Sequence, residues 1–167
     1  MRCKLYPYKK REIVSVQELK QGEGWQISAF KLPRIWERTQ GEGVTVAVLD
    51  TGCDLDHPDL VDNLLEGKNF VKKSAPPEDD NDHGTHVIGS LCATNNDFGI
   101  VGVAPKVKVI PIKVLDGSGM GDMDNVAKGI RYAIERDVDM MCLSLGCARP
   151  LANVRKAIQA AAKKGKP

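Results

Sequence analysis

Three continuous apolar runs rich in β-branched residues punctuate the chain: VTVAVL at 44–49, VKVIPIKVL at 107–115 and VDMMCLSL at 138–145. None alternates strictly with polar residues. Each therefore predicts a strand buried on both faces, as in a parallel sheet. Between and after these runs the apolar period lengthens to that of a helix. His83 to about Ala93 is one helical segment. Asn125 to Arg136 is a second, with Val126, Ile130, Ala133 and Ile134 on one face. Leu151 to Lys164 is a third, rich in alanine, and Gly165 just beyond it is a C-cap signal. Strands alternating with helices predict an α/β fold with a parallel sheet and right-handed crossovers.

The remaining stretches carry different signals. Residues 72–82 (KKSAPPEDDND) are acidic and hold two prolines, which predicts a surface loop. Residues 1–40 begin with an alternating segment, KLYPY, continue polar, and reach a short helix around 33–39. The last helix should lead into another parallel strand, but only Gly165, Lys166 and Pro167 follow it. The expectation is a sheet incomplete on its C-terminal side, with an edge for something else to cover.

Composition narrows the function classes. A chain of 167 residues fits one domain, and its 5% aromatic content leaves the core to aliphatic side chains. A net charge of +2 argues against nucleic-acid or membrane-surface binding, with the basic residues gathered near the two ends. The five cysteines have no CxxC spacing and form no evident disulfide framework or zinc site. No apolar run has transmembrane length and no signal-peptide core is evident. The expected compartment is a reducing cytoplasm.

Two short segments carry the chemistry, VAVLDTGCDLDHPDL (46–60, counting from Val46) and NDHGTHVIGS (81–90). Asp50 stands at the carboxyl end of the first predicted strand, where catalytic groups of open α/β sheets gather. A carboxylate there can hold an imidazole in one tautomer. Asp-Thr-Gly is equally what a strand-to-loop turn needs. His83 opens a helix, where an imidazole can accept a proton near neutral pH. His86 stands one turn further on, so a zinc pair is the alternative, though no third ligand has suitable spacing. DGSGMG at 116–121 reads by itself as a flexible turn.

Together these segments resemble the aspartate and histidine motifs of subtilisin-type serine proteases (peptidase family S8). GIVGVAP at 99–105 and CLSLG at 142–146 extend the likeness over roughly residues 40–167. The start, MRCKLYPYKK, is similar to that of the bacterial intracellular subtilisins. The resemblance implies a subtilisin-like parallel sheet with helices on both faces. It implies Asp50 and His83 as catalytic residues. Gly117, Ser118 and Gly119 would form the edge that pairs with a polypeptide substrate, and Ser144, Leu145 and Gly146 the opposite wall of the specificity pocket. It implies a Ca2+ site using Asp59, Thr94, Asn96, Phe98 and Ile100, with Gln21 a candidate for a further ligand. It also implies that residues 1–20 form a propeptide-like inhibitory extension carrying Leu5, Tyr6, Pro7 and Tyr8, ahead of the N-terminal part of a peptidase domain at 21–167.

The family's oxyanion-hole asparagine and its nucleophilic serine in a Gly-Thr-Ser motif have no counterpart here. The serines present are Ser15, Ser28, Ser74, Ser90, Ser118 and Ser144, none in such a frame. By itself the chain is therefore expected to be inactive. It reads as the N-terminal portion of an endopeptidase. The alternatives are a non-catalytic peptide- or protein-binding remnant, or one half of a split protease. Expected partners are a polypeptide substrate, a complementary C-terminal segment, or a second copy forming a homodimer.

Overall fold

A computed structural model describes residues 2–5, 21–148 and 151–167. The apolar runs become strands that share one parallel sheet. β2 (Thr45–Asp50) pairs with β4 (Lys108–Lys113), Val46 opposite Val109 and Asp50 opposite Lys113. β6 (Met140–Cys142) flanks β2, and the two-residue β3 (Lys68–Asn69) flanks β4, giving the order β3-β4-β2-β6. Alternate side chains of β2 and β4 enter two separate cores. Ala47, Leu49, Ile110 and Ile112 pack with helices α4 (Met123–Glu135) and α5 (Ala152–Lys163). Val46, Val48 and Val109 pack with Ile88 and Cys92 of α3 (His83–Cys92). Burial on both faces is why these strands lack an alternating pattern. The α/β fold with helices on both faces of a parallel sheet is as the sequence implies.

Some boundaries differ from the expectation, for local reasons. β6 ends at Cys142 rather than 145, because beyond that residue the chain leaves β2 and Gly146 instead pairs with Lys4. α4 starts at Met123, two residues early, because the Asp122 carboxylate accepts the Asp124 N–H at 2.9 Å and caps the helix. α5 ends as its glycine signal requires. Gly165 has φ +66°, its N–H donates to Ala162 O, and that of Lys166 donates to Ala161 O, each at 3.0 Å. Short helices α1 (Trp25–Ala29) and α2 (Leu32–Trp36) precede the sheet and bury Ile27 and Leu32 against Val101.

A second, two-stranded sheet lies apart from the first. β1 (Arg2–Lys4) runs antiparallel to β5 (Met120–Asp122), Cys3 opposite Gly121. Cys3 and Leu5 point into the core under α4 and are buried, whereas Arg2 and Lys4 are exposed. Tyr6, Pro7 and Tyr8 lie outside the described residues.

Candidate active site

The two motifs meet at the carboxyl end of β2. Asp50, the last residue of that strand, is 0% exposed. Its Oδ1 lies 2.8 Å from His83 Nδ1 and accepts the Thr51 N–H at 2.7 Å. Among the described residues, nothing hydrogen-bonds to the buried Oδ2. Burial pushes the Asp50 carboxyl above its usual value, against the opposing pull of the hydrogen bonds from His83 and Thr51. The imidazole is thus anchored at Nδ1 to a carboxylate.

Backbone proximity fixes this geometry. A Cβ at Gly84 would lie 2.1 Å from Gly52 O, so only glycine lets the start of α3 approach the Asp-Thr-Gly loop so closely. The Gly84 N–H donates to Thr51 Oγ1 at 2.9 Å, tying the two motifs together.

The acidic loop at 72–82 contributes more than solvated surface. Asp79 turns inward and gathers five donors. Oδ1 accepts from Thr51 Oγ1 (2.8 Å) and from the N–H groups of Asn81 (3.0 Å) and Asp82 (3.1 Å). Oδ2 accepts from the Thr85 N–H (2.8 Å) and its hydroxyl (2.6 Å). Burial alone would raise this carboxyl, but the Thr85 and Thr51 bonds outweigh it and hold the group below its ordinary value. Asp79 therefore supplies the cap that Asp82, at φ 79° with no side-chain cap bond, does not. Lys113 is a second residue the sequence did not single out. It is 4% exposed at the end of β4, and its ammonium donates to Thr51 O and lies 2.5 Å from Asp80 Oδ1. The marker of Asp79 was its place four residues before a helix-opening histidine; Lys113 had only a charge inside an apolar run.

The two expected substrate walls face a common strand. Leu5 N–H donates to Gly119 O at 3.1 Å, and Lys4 exchanges two 3.2 Å bonds with Gly146. Lys4 and Leu5 thus link Gly146 of one expected wall to Gly119 of the other. Ser118 faces a local partner: its N–H and hydroxyl both donate to Asp116 Oδ1, at 2.9 and 2.6 Å. Asp116 also takes the Met120 N–H, so this carboxylate shapes the edge turn, and Gly119 within it has φ +72°. Ser144 Oγ lies 3.8 Å from Cys142 Sγ, and Leu145 packs against the core under α4. Gly117 approaches Asp80, where a Cβ would be 3.0 Å from its carboxyl carbon.

At the far end of α3, oxygens converge on Gln21. Its Nε2 donates to Thr94 O (2.7 Å) and Ile100 O (3.3 Å) and lies 3.5 Å from Asn96 Oδ1. Asp59 closes the group, accepting Asn96 Nδ2 at 2.9 Å and the Ile100 N–H at 3.1 Å. The Phe98 N–H reaches Asn96 Oδ1 at 3.4 Å. Gly99 (φ +62°) is required here, since a Cβ would lie 2.4 Å from Asp59 Oδ2. Carbonyl and amide oxygens with one carboxylate form a donor set suited to a hard cation. Among the described residues, no three His, Cys, Asp or Glu side chains are grouped to hold a metal, so the His83–His86 zinc alternative finds no third ligand of that kind. No helix among the described residues is long and apolar enough to cross a membrane.

Comparison with known proteins gives the chain's family. The chain is 45% identical over 139 residues to the intracellular serine protease of Paenibacillus polymyxa, covering 81% of this chain and 43% of that protein. It is 40% identical over 169 residues to the major intracellular serine protease of Bacillus subtilis (strain 168), covering 97% of this chain and 52% of the relative. Thermitase of Thermoactinomyces vulgaris is 39% identical over 137 residues, 81% of this chain and 49% of thermitase. The chain thus spans about half the length of the curated relatives it matches. The family model described as Peptidase_S8, subtilase family, matches residues 41–166, which contain both motif segments, and the chain belongs to the subtilase family.

Proposed function

We propose that this chain supplies the base half of a serine endopeptidase: His83 as general base and Asp50 as the carboxylate that orients it. The 2.8 Å contact between His83 Nδ1 and Asp50 Oδ1 carries the reading. It commits the imidazole to presenting Nε2 to a nucleophile, the arrangement that acyl transfer by an Asp-His-Ser triad requires. The nucleophilic serine and the oxyanion asparagine are not among these residues. A complementary C-terminal segment would bring both, and the isolated chain would be inactive.

The substrate is a polypeptide, held as an added strand between Gly117–Ser118–Gly119 and Ser144–Leu145–Gly146. Backbone pairing of this kind accepts many sequences. Residues 1–20 act as an inhibitory extension, a reading supported by the bonds of Lys4 and Leu5 with Gly146 and Gly119 of these same two segments. Gln21, Asp59, Thr94, Asn96, Phe98 and Ile100 would hold Ca2+; a half-turn of the Gln21 amide puts an oxygen where the others converge. Bound there, the ion would fix the loop that follows α3. The names of two relatives, both called intracellular serine proteases, support a cytoplasmic location.

The test joins this chain to the C-terminal half of the Bacillus subtilis relative and measures peptide hydrolysis. Hydrolysis is expected, and His83→Ala should lower it by about 10²- to 10⁴-fold. Undiminished hydrolysis by that variant would overturn the assignment. Peptide binding without any hydrolysis in the joined protein would favour the non-catalytic binding remnant.

A further inference from the structure

The N-terminal strand carries a cysteine that packs on the same core as Cys147, just past the expected pocket wall. Lys4 and Gly146 are antiparallel partners and exchange both of their backbone hydrogen bonds at 3.2 Å. Carried one step further, this register would set Cys3 opposite Cys147. A pair next to a doubly bonded one is the close type, with Cα atoms about 4.5 Å apart and side chains on the same face. That separation falls within the roughly 4.4–6.8 Å a disulfide accepts. Both side chains face the same core: Cys3 is 0% exposed within it, and Cys147 packs against it half-buried. On the other side of β1, Cys3 faces Gly121, so no side chain of β5 separates it from its surroundings; its thiol lies 3.3 Å from Gly121 O. All five cysteines are thiols here. Burial pushes the Cys3 thiol above its ordinary range, and the neighbouring Cys147 acts in the same direction.

We propose that Cys3 and Cys147 form a redox latch that locks the N-terminal strand into the substrate groove. Its effect on activity rests on the inhibitory reading of residues 1–20; formation of the bond rests only on the strand register. The oxidant is a low-molecular-weight disulfide. Cys147, the more accessible thiol, attacks it first, forming a mixed disulfide and releasing one thiol. The Cys3 sulfur then attacks Cys147 Sγ and expels the second small thiol. Two protein thiols are oxidised, one small disulfide is reduced to two thiols, and each departing thiolate takes up a proton lost by a cysteine. Once closed, the bond keeps residues 2–5 in the groove even after the chain is cut between residues 6 and 20. Release of the groove then requires both cleavage and reduction.

The full chain is equilibrated with mixtures of oxidised and reduced glutathione. Its thiols are then counted, and its peptides are mapped without reduction. The expected result is loss of two of the five thiols and a Cys3–Cys147 cross-linked peptide. Cys3→Ser and Cys147→Ser should each abolish that peptide. After limited proteolysis within 6–20, the N-terminal piece should stay with the body of the oxidised protein and leave it on reduction. Absence of the link in the wild-type chain, or bonding of Cys147 to a different cysteine, would overturn the latch. If the link forms but reductive release of the cleaved piece opens no peptide binding, the inhibitory reading fails and the cross-link stands. If removing residues 1–20 opens peptide binding while no link forms, the latch fails and inhibition stands.

Discussion

At the residue scale, the site depends on a carboxylate that never touches His83's motif partner. Asp79 holds five donors from Thr51, Asn81, Asp82 and Thr85, and so binds the Asp-Thr-Gly loop to the first turn of α3. Removing it leaves those donors to whatever water can reach them. Asp79→Ala should therefore cost roughly 2–4 kcal/mol in urea denaturation. The pH dependence has a definite sign. The Asp79 carboxyl is held below its ordinary value, so its contribution is complete above the unfolded carboxylate range, near about pH 4. It is lost as pH falls through the depressed native value. Asp50 acts in the opposite sense: burial raises it, so the native state favours its protonated form and gains relative stability as pH falls. Asp79→Asn, which cannot ionise, should flatten the acid-side loss of stability, while Asp50→Asn should steepen it. An unchanged acid slope in the Asp79→Asn protein would contradict the assigned role.

At the element scale, the ordering of the loop after α3 decides whether that helix has a firm end. Gln21, Asp59 and residues 94–100 are brought together there from three parts of the chain, with one carboxylate among carbonyl and amide oxygens. Millimolar Ca2+ should raise the melting temperature by several degrees, as expected for a ligand bound only by the native state. Chelation should reverse the rise, and Asp59→Asn should remove most of it. Equal melting temperatures with Ca2+ and with chelator would exclude the site. The sequence exposed those elements whose side chains obey one rule along their length. β2 and β4 were visible because both faces are buried, and α5 because its alanine face ends at a glycine with positive φ. Elements defined by a distant partner were hidden. α1 buries only Ile27 among its five residues and leaves Trp25 76% exposed, so no apolar stripe marks it. β5 (MGD) is three residues long and exists as a strand because β1 lies beside it. Asp50 and His83 were legible because motif spacing records the strand end and the helix start. Asp79, Asp116 and Lys113 were not, because their roles depend on which loop folds back over which strand.

At the scale of the whole molecule, the chain's own N-terminus occupies the backbone groups that the proposed groove would offer a peptide. Gly119 O and both polar groups of Gly146 are taken by Leu5 and Lys4. Leu5 is 8% exposed, with its side chain against Gly119, and burying a leucine contributes about 1.5–3 kcal/mol. If the proposed groove binds peptide, an entering peptide must first displace this strand. The displacement free energy lowers the apparent affinity by the fraction of molecules with the groove open. At about 1.4 kcal/mol per factor of ten, Leu5 alone implies at least about a tenfold effect. A chain starting at Gln21 keeps Ile27, Leu32 and the Gln21 contacts, and so retains the supports of the loop after α3. It should bind an extended, fluorescently labelled peptide at least about ten times more tightly than the 167-residue chain, as read by anisotropy under reducing conditions. Adding back a synthetic peptide of residues 1–10 should compete for that binding, and the same peptide with Leu5→Asp should not. Equal affinity of the long and short chains, with both folded by circular dichroism, would show that β1 packs beside the groove without closing it.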